Sequence, residues 1–125
     1  MSESSLGRLL LLEAAALLES GWCQGAEARD DVGEATDPWN PEARTWSLLG
    51  AIVAVLEREA ALRDEIPFDQ LSGALVALAH FVQEDVLVDW NDAPGRSQQE
   101  VVLTVNAAAA RCTTPSATSV QLSLN

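Results

Sequence analysis

An apolar pattern with helical spacing marks residues 46–56, WSLLGAIVAVL. Two stripes recur on different sides of this segment: Trp46, Leu49, Val53 and Leu56, and Leu48, Ile52, Val55 and Leu62. A helix that is apolar on most sides is covered by other elements. Charged residues follow at 57–59, so the run is shorter than the about 20 apolar residues that a membrane span needs. The pattern therefore predicts a central core helix that continues to about Arg63.

Three other segments, residues 4–20, 67–84 and 97–112, also carry a helical pattern. The last begins with Ser97 and Glu100, whose spacing is typical of a capping box. Each segment has a predicted buried face. These faces are Leu6, Leu9, Leu10, Ala14, Leu17 and Leu18 in residues 4–20, Leu71, Leu75, Leu78 and Val82 in residues 67–84, and Val101, Val102, Val105 and Ala109 in residues 97–112.

The connections between these helices differ in length and chemistry. Residues 21–41 show no sustained period, and their two indoles need apolar cover, which favours a long but ordered loop. Asn40, Pro41 and Glu42 are typical of a helix start and predict that the central helix begins there. Residues 86–90, VLVDW, indicate a short extended piece or a loop, and residues 91–95 indicate a turn.

These patterns predict an all-α fold, a compact four-helix bundle-like domain with a long ordered loop between helices 1 and 2. At 125 residues the chain has the length of one domain. We assign residues 1–112 to that domain. The Ser- and Thr-rich residues 113–125 are predicted to be a flexible C-terminal tail.

The charge balance limits the kinds of partner. The net charge is −12, and the seven basic residues are all Arg. Nucleic-acid affinity depends on basic side chains that neutralise phosphates, so direct nucleic-acid binding is not expected. The acidity fits a soluble protein, a partner with a basic surface or a nucleic-acid mimic, and a salt-adapted or GC-rich source would produce the same composition.

The two cysteines and the N-terminus indicate the compartment. Cys23 and Cys112 lie far apart in a chain that is poor in cysteine, which predicts free thiols in a reducing cytoplasm. The apolar N-terminal run lacks a basic region before it and carries Glu3 and Glu13, so it is predicted to be an amphipathic helix and not a signal peptide. We therefore expect a cytoplasmic protein without a membrane-spanning segment.

Two segments resemble the hallmarks of a bacterial and phage family that is known only as a domain of unknown function and is common in actinobacteria. They are GWCQGA at residues 21–26 and WNDAPGRSQQEV at residues 90–101. Arg29, Asp30, Gly33 and residues 46–51 also resemble the family pattern. The family commonly has Cys after the central Trp, where this chain has Ser47. The resemblance covers about residues 6–112 and implies no established activity.

The candidate binding site follows from the expected topology. Helices in up-and-down order place alternate connections at the same end of a bundle, so residues 21–41 and 84–96 should meet. Cys23 and Trp39 lie in the first of these connections. The candidate binding residues are Trp22, Arg29, Trp90, Asn91, Asp92 and Arg96. A structural alternative is that Asn91 and Asp92 cap a turn and that Arg96 pairs with an acid.

The preferred function is a non-enzymatic interaction or regulatory domain that uses this acidic, Trp- and Arg-bearing end as its contact surface. Its partner would be another protein with a basic surface, in an anti-defence or DNA-mimic role. The sequence does not decide the oligomeric state, and a homodimer is possible.

We predict no catalytic residue, no metal and no cofactor, since one His and two scattered Cys do not match zinc spacing. The alternative is a small ligand-binding protein or enzyme with a pocket around Asp92 and Arg96, assisted by Cys23 and His80. His80 is expected to be a semi-buried structural residue. A deep pocket there would favour the alternative, and a flat acidic face the first function.

Overall fold

The computed structural model of the protein describes residues 3–64, 68–82 and 86–112. The helices are α1 (Glu3–Ser20), α2 (Leu48–Arg63), α3 (Phe68–Phe81), α4 (Leu87–Asn91) and α5 (Gln98–Arg111). Between α1 and α2 the chain forms a small antiparallel sheet in the order β2-β1-β3, with β1 (Ala28–Arg29), β2 (Ala35–Thr36) and β3 (Thr45–Trp46). The protein is therefore mostly helical, as expected, and the small antiparallel sheet and the short α4 are additions that the predicted all-α four-helix arrangement did not include.

The central helix is α1 and not α2, which corrects the expectation from sequence. α1 packs against α2, α3 and α5, and α3 also packs against α5. Its buried residues include Ala14 and Ala15, whose small side chains allow neighbouring helices to approach on two sides. Leu11 and Leu18 are fully buried beside them. Leu9, which we expected in the buried face, is about half exposed at 49%.

α2 has one buried face instead of two apolar stripes. Leu48, Ile52 and Val55 are buried, whereas Leu62 of the same predicted stripe is 77% exposed near the end of the helix. The other predicted stripe, which includes Trp46, is only partly buried. α2 contacts α1, α4 and β3, and the side that carries Leu49, Val53 and Leu56 is only partly covered.

α2 also begins later than predicted. Asn40 does form a local turn, in which its Oδ1 accepts a hydrogen bond from the Glu42 amide at 2.8 Å. The chain then enters β3, which pairs with β1, and the Trp46 amide also donates to the Gly21 carbonyl at 3.0 Å. Ser47 is the true N-cap, and its Oγ accepts from the Gly50 amide at 3.0 Å. Trp46 is therefore a strand residue, partly buried against the core.

The segment VLVDW is a one-turn helix and not an extended piece. The Asp92 amide donates to the Val88 carbonyl at 2.9 Å. Trp90 and Asn91 are both buried, although they are adjacent in sequence. A strand would point adjacent side chains to opposite faces, whereas the helical turn lets both contact the interior.

The other predicted helices agree with the structure within a few residues. α3 ends at Phe81, earlier than predicted. Leu78 within it is buried, as is Val82 just after its end, while Leu75 is exposed. α5 buries all four residues of its predicted face. The predicted C-terminal tail, residues 113–125, lies outside the described residues. None of the helices in the described residues is long and apolar enough to cross a membrane.

The N-cap of α5 allows a direct test. Ser97 Oγ accepts a hydrogen bond from the Glu100 amide at 3.1 Å, as the capping box predicts. The Glu100 carboxylate pairs instead with Arg96, at 2.6 Å. We expect Ser97→Ala to lower the free energy of unfolding by about 1 kcal/mol, since a first-turn amide loses its acceptor. Urea unfolding measures this change. Ser97→Asp, which keeps an acceptor, should lose less, and equal losses in the two variants would contradict a capping role.

Candidate functional site

The first connection folds back onto α4, and this contact forms the candidate site. We call residues 21–47, which join α1 to α2, the sheet segment. Residues 22–25 of the sheet segment contact residues 91–93 through side-chain hydrogen bonds. The two connections that were expected to meet therefore do meet, at the beginning of α2.

Asn91 is the centre of this contact and is fully buried. Its Oδ1 accepts two hydrogen bonds, one from Trp22 Nε1 at 2.7 Å and one from the Leu48 amide at 3.0 Å. Its Nδ2 donates to the Cys23 carbonyl at 3.1 Å and to Asp92 Oδ1 at 2.9 Å. One amide group thus joins the sheet segment, the first turn of α2 and α4. We call this set, with Gln24 and Asp92, the Asn91 network.

Gln24 and Asp92 complete the network from either side. Gln24 Nε2 donates to the carbonyls of Asn91 at 3.0 Å and Ala93 at 3.2 Å. The Gly25 amide donates to Asp92 Oδ1 at 3.1 Å. Gly25 has a φ of +81°, a conformation that L side chains rarely adopt, so glycine suits this turn.

Arg29 connects two parts of the sheet segment through hydrogen bonds of its guanidinium. Its guanidinium donates to the Gly33 carbonyl at 2.9 Å and to the Gln24 carbonyl at 3.1 Å. Gly33 belongs to the β1–β2 turn, where Asp30 Oδ1 accepts from the Val32 and Glu34 amides at 3.0 and 2.9 Å. Arg29 therefore links this turn to the Asn91 network.

Arg96 binds to α4 and to α5. Its guanidinium carbon lies 3.9 Å from the centroid of the Trp90 ring, and its Nε donates to the Trp90 carbonyl at 2.9 Å. Its NH1 pairs with the Glu100 carboxylate at 2.6 Å. The acid partner of Arg96 is thus Glu100, while Asp92 bonds to the sheet segment. The six candidate residues lie near one another, yet Trp90 and Asn91 are buried.

The comparison with known families agrees with the resemblance seen in the sequence. The chain matches a family of unknown function, DUF6197, over residues 6–111, which is most of its length. The chain belongs to this family. The DUF6197 match brings no assigned activity, and no curated protein and no solved structure matches the chain. Residues 21–26 and 90–101, which carried the resemblance in the sequence, both contribute to the Asn91 network.

The two thiols are free and buried. Burial raises the pKa of the Cys23 thiol, and the hydrogen bond from the Thr45 side chain and the charge of Arg29 oppose this only in part. Burial also raises the pKa of the Cys112 thiol. The thiolate is the nucleophilic form, so a raised pKa disfavours nucleophilic chemistry at either position.

His80 lies on α3 and is exposed, which corrects the expectation of a semi-buried residue. Its ring contacts the edge of Phe81 with centroids 4.9 Å apart. In the part of the chain that the structure describes, no group of three or more His, Cys, Asp or Glu side chains could hold a metal ion.

Gln24, Ser47 and Gly50 all contribute to the site, although the sequence analysis predicted no role there for any of them. A Cβ at Gly50 would lie 1.8 Å from the Glu27 carbonyl oxygen, so only glycine fits where the sheet segment crosses α2. Ser47 did carry a local signal, since it precedes the apolar run of α2 and is a preferred cap residue. Gln24 carried none, because its two partners are 67 and 69 residues away.

Two turns of the sheet segment, residues 30–34 and 37–42, are largely exposed at this end. Residues 30–42 include five acids and no basic residue. Trp39 is 54% exposed in the second turn, and Val32 is exposed in the first. Trp39 was expected at this end of the molecule but was not among the candidate binding residues.

Proposed function

We propose that the protein is a non-enzymatic interaction or regulatory domain whose contact surface is the pair of exposed turns, residues 30–34 and 37–42. Its partner is another protein with a basic surface. Aromatic side chains anchor many protein interfaces, and acidic surfaces attract basic partners and speed their encounter. The prediction that Trp22, Arg29, Trp90, Asn91, Asp92 and Arg96 form a binding set stays a prediction. In this proposal they position the turns, and the turns make the contact.

The observation that carries the proposal is the exposure of Trp39 in a turn that hydrogen bonds hold in place. The Asn40 amide donates to the Asp37 carbonyl at 3.0 Å, and Asn40 Nδ2 donates to Thr36 Oγ1 at 2.8 Å. A half-exposed indole leaves a large apolar area in water. A held turn loses little conformational freedom on binding, which favours affinity. These features support an interface role for Trp39.

The alternative, a pocket built around Asp92 and Arg96, has less support from the geometry. Asp92 Oδ1 accepts from Gly25 and Asn91, and the Arg96 guanidinium is engaged by Trp90 and Glu100. A ligand that used Asp92 Oδ1 or the Nε and NH1 groups of Arg96 would have to replace internal hydrogen bonds. The described contacts therefore favour the interaction domain.

Trp39→Ala tests the proposal. We expect its free energy of unfolding to stay within about 1 kcal/mol of the wild type, since the indole is half exposed. The variant should nevertheless lose the partner that the wild-type protein captures from an extract of its native host. Thermal unfolding and affinity capture with mass spectrometry measure the two effects.

Leu103→Ala is the matched control for this experiment. Leu103 is a large apolar residue on α5 that is 60% exposed, so its truncation removes a similar kind of surface elsewhere. Leu103→Ala should keep the partner. If Trp39→Ala retains every protein that the wild type captures, the turns are not the contact surface and the proposal is wrong.

A further inference from the structure

An open groove of about 340 Å³ lies beside the Trp39 turn. Its apolar lining includes the indoles of Trp39 and Trp46, together with Leu17 of α1 and Ala54 of α2. Glu57 and Arg58 of α2 complete the lining. The groove therefore combines two aromatic rings with charged groups, which is unlike the purely apolar contacts of the core.

The aromatic side of the groove is held in position. Trp46 Nε1 donates to the Pro38 carbonyl at 3.0 Å, which ties the strand residue to the turn that carries Trp39. The Ala43 amide donates to the Asn40 carbonyl at 2.9 Å on the other side of the same turn. The indoles thus sit on a preformed surface, and a ligand would not have to order it.

The charge around the groove favours a cation. Arg58 pairs with Glu13 at 2.9 Å, so its positive charge is balanced on the α1 side. Glu57 is exposed in the groove lining, and Asp37 precedes the Pro38–Trp39 turn. The whole chain carries a net charge of −12, which repels anionic membranes, nucleic acid and a second copy of the same chain.

We propose that this groove binds an arginine or lysine side chain of a partner protein. The aliphatic stem lies against Leu17 and Ala54, and the cation lies between the Trp39 indole and the Glu57 carboxylate. A cation over an indole face gains electrostatic energy, and a nearby carboxylate adds to it. The inference rests on the proposed function, since it names the chemistry by which the same surface recognises its partner.

Peptide binding followed through the indole signals tests the inference. Three synthetic peptides of equal length would be titrated into ¹⁵N-labelled protein: one of alternating Leu and Arg, one with citrulline for Arg, and one with Ser for Leu. The four Trp Nε1–H signals, assigned with Trp→Phe variants, report the position of binding. We expect the Leu/Arg peptide to shift the Trp39 and Trp46 signals and to leave those of Trp22 and Trp90 in place.

The modified peptides separate charge from apolar contact. Citrulline keeps the shape of arginine but removes its charge, so the citrulline peptide should bind about tenfold more weakly. The Ser-containing peptide keeps each arginine stem and cation, which are the groups that contact the groove, so it should shift the same two indole signals with similar affinity. Loss of binding by this peptide would mean that leucine and not arginine is recognised, which would overturn the inference. Equal affinity of the arginine and citrulline peptides, or a shift confined to Trp22 and Trp90, overturns the inference.

Glu57→Gln and Glu19→Gln form a charge-matched pair of variants. Glu57→Gln should weaken the Leu/Arg peptide by about threefold and leave the citrulline peptide unchanged. Glu19 lines a different groove, between α1 and α5, so Glu19→Gln should affect neither peptide. The same weakening in both variants would mean that only the total charge matters, which would overturn the assignment to this groove.

Two further outcomes separate this inference from the proposed function. If Trp39→Ala loses its captured partner but the peptides do not shift the Trp39 signal, the interaction surface stands and the groove chemistry fails. If the peptides bind as expected but Trp39→Ala keeps the partner, binding of a cationic side chain in the groove stands and the proposed function fails.

A lipid control excludes a membrane as the occupant. Phosphatidylcholine vesicles, with and without phosphatidylglycerol, should leave the Trp39 signal unchanged, and a shift would assign the groove to lipid instead.

Discussion

Replacing Asn91 with alanine is expected to lower the free energy of unfolding by about 3–5 kcal/mol, because one deletion leaves several polar groups without partners. The Trp22 indole and the Leu48 amide lose their shared acceptor, and the Cys23 carbonyl loses its donor. A buried polar group that loses its partner keeps the full cost of its desolvation. Urea or thermal unfolding of the purified variant measures the loss.

Asn91→Asp separates the hydrogen bonds from the loss of volume. Its side chain keeps an acceptor for Trp22, but it turns a second carboxylate oxygen toward Asp92 and the Cys23 carbonyl. The difference in free energy of unfolding between this variant and the wild type should shrink as the pH falls, because the protonated acid is favoured in the folded state and can donate.

The control is Asn106→Ala, at an exposed position on α5. Its free energy of unfolding should stay within about 0.5 kcal/mol of the wild type. A loss below about 1 kcal/mol in Asn91→Ala would contradict the central role of this amide.

The elements that depend on local signals were predictable. Ser97 caps α5 because its Oγ reaches an amide three residues along the chain, and that bond needs nothing from the rest of the fold. α1 ends at Ser20 as expected. Gly21 follows it, and its φ is not positive. A Cβ there would lie 2.4 Å from the Arg44 carbonyl oxygen, so the glycine allows the sheet segment to pass close to α1.

The elements that depend on distant partners were not predictable in the same way. Each strand of the sheet has two residues, too few to show an alternating pattern. Asn40 and Pro41 carry a genuine turn signal, but the chain from Arg44 to Trp46 pairs with Arg29 and Gly21 and cannot be helical there. The order of the helices alone also did not show which of two strongly apolar helices, α1 or α2, lies at the centre.

In the candidate site, too, one feature was predictable from the sequence and another, which depends on distant partners, was not. The meeting of the two connections followed from the alternation of helices and was found in the structure. The burial of Asn91 did not follow, because it depends on the Trp22 indole and the first turn of α2 arriving at the same point. A polar residue in a sequence that is typical of a turn is ordinarily taken as exposed. Here the one-turn helix α4 directs Asn91 inward, whereas Trp39 in the sheet segment is about half exposed.

Gly50→Ala is expected to destabilise the protein by about 3 kcal/mol, although alanine is the better helix former. Gly50 lies in the first turn of α2, and a Cβ there would lie 1.8 Å from the Glu27 carbonyl oxygen and 2.7 Å from the Glu27 carbonyl carbon. Both atoms belong to the backbone, so the sheet segment itself would have to move. The same carbonyl accepts the Ser47 amide at 3.0 Å, and that hydrogen bond would be lost or lengthened. Thermal and urea unfolding measure the effect.

Gly73→Ala is the matched control, because it makes the same change in another helix. Gly73 lies within α3, and a Cβ there would meet nothing within 4 Å. This variant should be more stable than the wild type by about 0.5–1 kcal/mol, since alanine restricts the unfolded chain and favours the helix. The two substitutions therefore have opposite expected signs. If Gly50→Ala were also stabilising, the Glu27 carbonyl would not lie against the first turn of α2, and the packing of the sheet segment on that helix would be wrong.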